Sequence, residues 1–228
     1  MNDLDYKTVR SPKRKHLTIT VERDRAVVVR APQSMTDDQV QKFVDAKRQW
    51  IFEKLRSPQK YQERRHPPGK EVVNGESAPY LGRDYRILLT ETPTGRVEFA
   101  GRFLVPPAQQ AKRREVLRDW YVAEAKDKIL ARAEHHAREM GVAFARARIV
   151  ANRYRWGSCT VRDSVNFNWR LIKAPMFVID YVIVHELTHL VEPNHTPAFW
   201  SIIRARTPTM EKARAWLKKH GQMLEEEI

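Results

Sequence analysis

The residues of this chain that are best suited to chemistry lie between positions 185 and 195. His185-Glu186-Leu187-Thr188-His189 is an H-E-x-x-H motif, with two histidines four residues apart and a glutamate after the first. Residues four apart share one face of a helix, so both imidazoles can bind one metal ion from the same side. Glu186 can then face the open coordination position, where water is activated. The motif predicts a hydrolytic metal site with Glu186 as its catalytic base.

A third metal ligand must come from beyond the motif. His195 lies ten residues after His185, about 15 Å along a continuous helix, which is too far to share a metal ion. Pro193 disfavours helical geometry at the residue before it, and Asn194 tolerates turns, so the chain is expected to turn back before His195. Glu192 is the alternative, since it would share a face of an unbroken helix with both histidines of the motif. We favour His195 as the ligand and expect Glu192 to lie beside the site or face the substrate.

The ligand types also indicate the metal and the reaction. Neutral imidazoles suit zinc, although manganese, cobalt or nickel can occupy such a site. The single cysteine, Cys159, excludes both an internal disulfide and a multi-cysteine zinc site. Three protein ligands leave a fourth position, and zinc lowers the pKa of a water molecule there to about 7. Glu186 would accept the proton of this water and later pass it to the leaving group.

The segment Trp156-Gly157-Ser158-Cys159 has two interpretations. It can be an edge strand along which an extended substrate pairs, with Gly157 allowing close approach of the substrate backbone. It can equally be a tight turn beneath a packed tryptophan. Cys159 is interpreted as a small buried residue rather than a nucleophile, since nothing nearby indicates a lowered thiol pKa.

Other residues near the motif have supporting roles. Asp180 can orient a ligand imidazole or interact with the helix dipole, and we favour the dipole interpretation. Phe199 and Trp200 are expected to be core residues behind His195. The side chains that could stabilise negative charge on a reaction intermediate are Arg153, Tyr154 and Arg155.

The elements that must position these residues follow from caps and apolar patterns. An apolar run before His185 predicts a buried helix, which would hold the ligands rigidly. Threonine followed by proline is typical of an N-cap and first helical residue. The predicted elements are a helix from Pro107 to about Met140 ended by Gly141, strands over Arg148–Tyr154 and Val165–Leu171, a helix from Pro175 through Leu190, and helices starting at Thr196-Pro197 and Thr207-Pro208.

The preceding part of the chain is predicted to be rich in strands. Its elements are a hairpin of His16–Val21 and Ala26–Val29 around the turn Glu22–Arg25, one helix from the Thr36/Gln39 capping box to about Ser57-Pro58, and strands over Tyr80–Leu89 and Val97–Val105. Pro106-Pro107 marks the clearest boundary. We therefore predict an α+β protein with an N-terminal β-rich region at residues 1–106, containing one helix, and a hydrolase domain at residues 107–228.

Composition limits the environment and the partners. The chain has 228 residues, with 42 Lys and Arg against 28 Asp and Glu, a formal net charge of +14. This balance favours polyanions such as nucleic acid or nucleotides, although charge alone does not indicate base recognition. There is no apolar run long enough to cross a membrane, and the polar first six residues lack a signal core. With the single cysteine, these features predict a cytoplasmic protein that does not bind membranes.

The chain resembles the YgjP-like metal-dependent hydrolases, a family related to the SprT-like zincins. The residues that carry the resemblance are Arg155 to Cys159, Asn166, Asn168, Leu171, Ala174-Pro175, Asp180 to Leu187, His189-Leu190, Asn194-His195 and Phe199-Trp200, with weaker likeness at Tyr80-Leu81-Gly82 and Tyr85. The resemblance implies a zincin-like unit, in which a twisted mixed sheet packs on helices and one helix carries H-E-x-x-H. It also implies that His195 is the third ligand.

Three functions are compatible with these residues. The leading hypothesis is a zinc-dependent metallopeptidase acting on peptides or proteins. A metal-dependent UTP pyrophosphohydrolase is the first alternative, because the chain is basic and members of the resembled family carry both labels. Against it, there is no G-x-x-x-x-G-K-[ST] loop and no obvious carboxylate cluster for magnesium. The second alternative is a DNA-associated protease of the SprT-like kind, recruited by its basic surface. A purely structural zinc site is disfavoured by the intact Glu186.

Overall fold

The computed structural model describes residues 4–12, 14–21, 25–56, 71–152, 155–160 and 162–225. Contacts divide the chain into two compact units, Met1–Arg65 and His66–Ile228. The elements of the first unit are β1 (Lys7–Ser11), β2 (Thr18–Val21), β3 (Val27–Pro32), α1 (Asp37–Ala46) and α2 (Arg48–Arg56).

The first unit is a three-stranded sheet with two helices. β3 is central, pairing with β2 in antiparallel and with β1 in parallel orientation. The predicted hairpin of β2 and β3 is confirmed, while residues 22–24 of its turn lie outside the described residues. The sequence did not predict β1, because its five residues contain one apolar side chain, that of Val9.

The helix predicted from the capping box begins where expected but does not run through to Ser57. The amide of Gln39 donates to Thr36 Oγ1 at 3.3 Å, and the amide of Thr36 donates to Gln39 Oε1 at 3.0 Å. The prediction of one helix is wrong, because Lys47 leaves helical geometry at φ −104° and ψ 6° and separates α1 from α2. The break lets the α2 residue Ile51 pack in the same core as two valines of α1 and the apolar residues of β3.

The second unit contains most of the chain. Its elements are β4 (Ser77–Tyr80), β5 (Arg83–Leu89), β6 (Glu98–Phe99), β7 (Phe103–Val105), α3 (Gln110–Met140), β8 (Arg146–Val150), β9 (Gly157–Cys159), β10 (Ser164–Asn168), a 3₁₀ helix (Trp169–Lys173), α4 (Met176–Thr188), α5 (Pro197–Arg206) and α6 (Met210–Glu225).

Two mixed sheets belong to this unit. One has the strand order β4-β5-β7-β6, and the other has the order β8-β10-β9, with β10 parallel to β8 and antiparallel to β9. The segment predicted as one strand over Val97–Val105 is two short antiparallel strands around a turn. β4 was not predicted, since the proline within it argues against a strand. The mixed sheets and separate helices confirm the predicted α+β class.

The core of the second unit surrounds α3 and α4. α3 buries one side chain about every fourth residue, at Leu117, Tyr121, Ala125, Ile129, Ala133 and Ala137, and ends at Gly141 in left-handed geometry as predicted. α4 is apolar around most of its circumference, which is typical of a helix enclosed by other elements. This enclosure gives the H-E-x-x-H residues a rigid support.

The turn between β4 and β5 holds the start of α4. The amides of Leu81 and Gly82 donate to the carbonyls of Ile172 and Lys173, at 2.9 and 3.0 Å. Gly82 has φ +80°, and a Cβ there would lie 2.5 Å from the ring of Pro175, which precedes α4. A residue without a side chain is therefore needed where this turn meets the active helix.

The second unit also includes the two strands predicted over Tyr80–Leu89 and Val97–Val105, which the sequence assigned to the N-terminal region. Val72, Ile87 and Phe103 share a core with α3 and α4, so the predicted boundary between residues 106 and 107 falls inside this unit. Among the described helices, none combines the length and apolar character needed to span a membrane.

Candidate metal centre

The chain reverses direction directly after the H-E-x-x-H helix. α4 ends at Thr188, two residues earlier than predicted, and the amide of Glu192 still donates to the Thr188 carbonyl at 2.9 Å. α5 then begins with Thr196 as its N-cap, whose hydroxyl accepts a hydrogen bond from the Phe199 amide at 3.3 Å. The turn predicted from Pro193 and Asn194 therefore exists.

The reversal brings three imidazoles together. One ring nitrogen from each of His185, His189 and His195 lies within 4.8 Å of the others, and the Nε2 atoms of His185 and His195 are 3.2 Å apart. The group formed by the described residues does not include Glu192. The structure thus places His195 with the two histidines of the motif, as the sequence argument favoured.

The donor set fits a divalent metal ion. Two nitrogens bound tetrahedrally to zinc at about 2.0–2.1 Å are roughly 3.3 Å apart, close to the separation between His185 and His195. His189 Nδ1 contacts the carbonyl oxygen of Glu192 at 3.3 Å. A carbonyl only accepts hydrogen bonds, so Nδ1 carries the proton and the lone pair of a neutral ring is on Nε2. His189 is thereby held in the tautomer that can bind a metal through Nε2.

The protonation states agree with this assignment. Burial, together with the neighbouring His189 and His195, lowers the pKa of His185 to about 4. Burial also lowers the pKa of His189. Both rings are therefore neutral at pH 7, which is the form of imidazole that binds metals.

Glu186 is a buried carboxylate next to the histidine cluster. Glu186 is only 7 % exposed, and this burial raises the pKa of its carboxyl group to about 7. The charge of Arg155 and a hydrogen bond from the Cys159 amide oppose this rise. A carboxyl group with a pKa near neutrality suits a base that must take up and release a proton in one reaction.

The space for Glu186 is made by Gly157 in β9. A Cβ at position 157 would lie 2.5 Å from Glu186 Cγ and 2.6 Å from its Oε1. These distances are too short for non-bonded atoms, so any side chain at this position would displace the carboxylate or the strand. Gly157 therefore packs against the predicted base, a contact that neither interpretation of the Trp156–Cys159 segment foresaw.

Two aromatic side chains of α5 pack against the histidines. Phe199 is fully buried, and its ring centroid lies 4.6 Å from those of His189 and His195. Trp200 stacks on His195, with centroids 5.6 Å apart and planes inclined by 22°. Phe199 is a core residue as predicted, whereas Trp200 is partly exposed and covers one face of the third histidine.

Asp180 has a role that the sequence did not indicate. Its carboxylate accepts hydrogen bonds from Arg132 Nη2 at 2.7 Å and from His136 Nε2 at 3.1 Å, both on α3. It contacts no histidine of the site in this way and lies beyond the first turn of α4. Both predicted roles are therefore wrong, and Asp180 instead joins the two central helices.

Two of the remaining predicted residues, Cys159 and Arg155, lie near Glu186. Cys159 is partly buried, and desolvation followed by the charge of Glu186 raises the pKa of its thiol, which agrees with a non-nucleophilic residue. Arg155 is exposed but close enough to influence Glu186 electrostatically. Arg153 and Tyr154 lie outside the described residues.

Sequence reasoning missed two residues near the histidines. Tyr181 is four residues before His185, with ring centroids 6.0 Å apart, and this helical spacing could have identified it. Arg214 of α6 lies with its Cζ atom 5.2 Å from the centre of the Trp200 ring. No local signal points to Arg214, because it lies almost twenty residues after even the last histidine, His195, and meets Trp200 only through the packing of α6.

Comparison with known proteins decides the family. Residues 15–220 match the family model of the YgjP-like metallopeptidase domain. The chain belongs to this family. As a YgjP-like metallopeptidase domain, the protein is a metal-dependent hydrolase, and its family implies a divalent metal ion and a peptide or protein substrate.

Two solved structures resemble parts of this YgjP-like chain. The metallopeptidase zymogen of Methanocaldococcus jannaschii jannalysin has 16 % sequence identity and a TM-score of 0.36, with 42 % of this chain and 97 % of that chain covered. The metallopeptidase zymogen of Pyrococcus abyssi abylysin has 18 % identity and a TM-score of 0.34, with 40 % and 93 % covered. No curated protein matches the chain.

Proposed function

We propose that this protein is a zinc-dependent metallopeptidase in which His185, His189 and His195 hold the metal ion and Glu186 is the general base. The observation that carries the proposal is the convergence of three imidazole nitrogens within 4.8 Å of one another beside a buried glutamate. Zinc is favoured among divalent ions because it prefers neutral imidazole ligands in a four-coordinate site.

The zinc ion, when bound, supplies a Lewis acid that acidifies water and polarises the scissile carbonyl. Glu186 takes the proton from the attacking water and delivers it to the leaving nitrogen of the peptide bond. Burial of this carboxylate raises its pKa, which makes it a stronger base than an exposed glutamate. Gly157 and the Cys159 amide restrict where the carboxylate can lie, so the base is positioned before substrate arrives.

The position of β9 supports a peptide as substrate. β9 is an outer strand of the sheet β8-β10-β9, and Glu186 packs against its first residue. An extended peptide that pairs along such an edge would pass next to the base. We also propose that the protein acts in the cytoplasm, since its single cysteine suits a reducing compartment.

Metal analysis tests the ligand assignment. We expect about one zinc per wild-type chain and loss of tight binding in His185→Ala and His195→Ala, with affinity reduced more than about 100-fold, because losing even an outer-shell partner costs about 10–100-fold. Glu192→Gln should keep its zinc. His220→Ala is the control, as this histidine stacks on Trp216 and not on the cluster. Equal zinc in wild type and His185→Ala would remove the proposed site.

Activity measurements test the reaction. Wild type and Glu186→Gln are incubated with an unfolded protein and, separately, with UTP. Products are followed by mass spectrometry and by pyrophosphate release. We expect wild type to cleave the protein, and Glu186→Gln to retain zinc but lose about 100- to 10,000-fold in kcat. Glu186-dependent turnover of UTP without any peptide cleavage would overturn the peptidase assignment in favour of the pyrophosphohydrolase.

A further inference from the structure

A positive charge lies one aromatic ring away from the histidine cluster. Arg214 of α6 places its Cζ atom 5.2 Å from the centre of the Trp200 ring. Trp200 stacks on His195 at 5.6 Å and has its ring centroid 6.1 Å from that of His185. The tryptophan therefore contacts both a guanidinium and the proposed metal ligands.

The charge of Arg214 is only loosely neutralised within the described part of the chain. Its Nη1 atom contacts the two carboxylate oxygens of Glu211 at 3.4 and 3.5 Å. A close charge-assisted hydrogen bond is about 2.7–2.9 Å long, so this pair is weak. Both side chains are largely exposed, at 49 % for Arg214 and 72 % for Glu211, so solvent screens their attraction. The contact engages one guanidinium nitrogen of three.

The guanidinium lies beside the ring that packs against the proposed ligands. Arg214 Cζ is 5.2 Å from the centre of the Trp200 ring, whose centroid is 5.6 Å from that of His195 and 6.1 Å from that of His185. Imidazole ligands carry no negative charge of their own. An anionic group of a substrate near this tryptophan would therefore be attracted both by the guanidinium and by a divalent ion held among the histidines.

From this arrangement we infer that Trp200 and Arg214 form a subsite that binds a carboxylate of the peptide substrate. The planar guanidinium binds carboxylates through two parallel hydrogen bonds, and its Cζ atom already lies 5.2 Å from the centre of the Trp200 ring. The inference rests on the proposed peptidase function and adds a substrate class to it: peptides with a carboxylate close to the cleaved bond. An acidic side chain and a free C-terminus offer the same chemistry.

A structural role for Arg214 makes a different prediction. If the guanidinium only stabilises the packing of α6 against Trp200, its removal should affect every substrate to the same extent. A subsite should instead discriminate between substrates that differ only in one carboxylate. The test is therefore a comparison of substrates within each variant, which a uniform loss of stability does not change.

The experiment uses the full chain loaded with zinc and four versions of one peptide that the wild type cleaves. A glutamate near the cleavage site is present or replaced by glutamine, and the C-terminus is free or amidated. We expect each effective carboxylate to raise kcat/KM of wild type by about 10- to 100-fold, mainly through KM. Arg214→Met keeps an unbranched side chain that can pack on Trp200 but has no charge, and it should lose this preference. Arg214→Lys should retain part of it, since a charge remains without the planar fork.

The control and the binding measurement separate the possible failures. Lys219→Ala removes one positive charge from an exposed position of the same helix and should keep the preference of wild type. Calorimetry with zinc-loaded Glu186→Gln should show tighter binding of the carboxylate peptides, and this difference should disappear when Arg214→Met is added.

If wild type cleaves no peptide, the proposed function fails. If it cleaves all four peptides equally, or if Arg214→Met slows them all by one factor, the carboxylate subsite is overturned.

Discussion

The position of Glu186, the proposed general base, depends on a residue without a side chain. Glu186 is part of α4, but the space that its carboxylate can occupy is bounded by Gly157 on a separate strand. The Cys159 amide, two residues further along the same strand, donates a hydrogen bond to that carboxylate. If Glu186 is the base as proposed, the short segment before β10 acts on catalysis through the orientation of this carboxylate rather than through a reactive group of its own.

Substitution of Gly157 by alanine should reduce turnover without removing the metal. The new Cβ would lie within 2.6 Å of Glu186 Oε1, so the carboxylate must shift. A displacement of about 1 Å at a reacting group can cost about 100-fold in rate, and we expect a loss of kcat of that order. The three histidines are not altered, so zinc content should match that of wild type. Zinc content and peptide turnover are measured on the same samples to show that only turnover falls.

Ser158→Ala is the matched control for this substitution. It changes the next residue of β9 and removes the hydroxyl that accepts a hydrogen bond from Asn166 at 3.3 Å, but it adds no atom beside Glu186. We expect its kcat to stay within about threefold of wild type, because a single hydrogen bond of this length contributes little to positioning. Wild-type turnover in Gly157→Ala would show that the base does not need this space.

At the scale of the element, the H-E-x-x-H helix is fixed at its middle by an ion pair with α3. Burial alone would raise the pKa of Asp180, but hydrogen bonds from His136 and Arg132 and the charge of Arg132 outweigh it and lower the pKa. The charged carboxylate is thus stabilised by folding. A carboxyl group whose pKa falls on folding contributes stability above its unfolded pKa of about 3.9 and loses that contribution as pH falls through the lower folded value.

Asp180→Asn should therefore lower stability at neutral pH and have less effect in acid. We expect the free energy of unfolding to fall by about 1–3 kcal/mol at pH 7, because Arg132 and His136 lose a partly buried partner. The difference from wild type should shrink as pH falls below about 4, where the unfolded chain begins to take up a proton at this carboxyl group while the folded protein does so only at lower pH. Urea unfolding at several pH values measures both effects.

Asp127→Asn provides the comparison on α3. The Asp127 side chain is 79 % exposed and has a lysine contact at 3.7 Å, so its replacement should change stability by less than about 0.5 kcal/mol at any pH. A stability difference for Asp180→Asn that persists unchanged at pH 3 would contradict the ionic origin of the contact between the helices.

Local patterns predicted the parts of the fold that depend on local physics. The N-cap at Thr196, the C-cap at Gly141 and the turn at Pro193 each follow from a preference of one residue, and each was predicted from the sequence. The grouping of the three histidines followed from the same turn. Contacts between distant segments gave no such signal, as for Gly157 beside Glu186 and Arg214 over Trp200.

The errors in the predicted elements have a similar origin. β4 and β1 are short strands whose pairing partners, rather than their own composition, determine their structure. The break at Lys47 contains neither glycine nor proline, so no residue preference predicts it. Asp180 was assigned by its position on its own helix, whereas its partners lie on α3. In each case tertiary packing overrode a weaker local preference.

At the scale of the whole molecule, the formal net charge of +14 has not been connected to a partner. Binding of nucleic acid through a basic surface stays a prediction. The proposed carboxylate subsite offers another use for part of this charge, since a positive field around the site attracts anionic substrates. This attraction should weaken with ionic strength, whereas bidentate binding at Arg214 should be less sensitive to salt.

The second compact unit should fold and bind zinc without the first. A fragment of residues 66–228 contains every residue of the core around α3 and α4, which extends from Val72 to Leu224. We expect it to unfold in one cooperative transition and to bind about one zinc ion.

A fragment of residues 107–228 lacks the buried side chains of Val72, Ile87 and Phe103, together with the turn at Gly82 that supports the start of α4. Loss of one large core side chain typically costs about 2–5 kcal/mol, and a domain is stable by only about 5–15 kcal/mol. The shorter fragment should therefore remain unfolded, as measured by near-ultraviolet circular dichroism and urea titration. If it instead folds and binds zinc as tightly as residues 66–228, the boundary predicted at Pro106-Pro107 is the true limit of the catalytic domain.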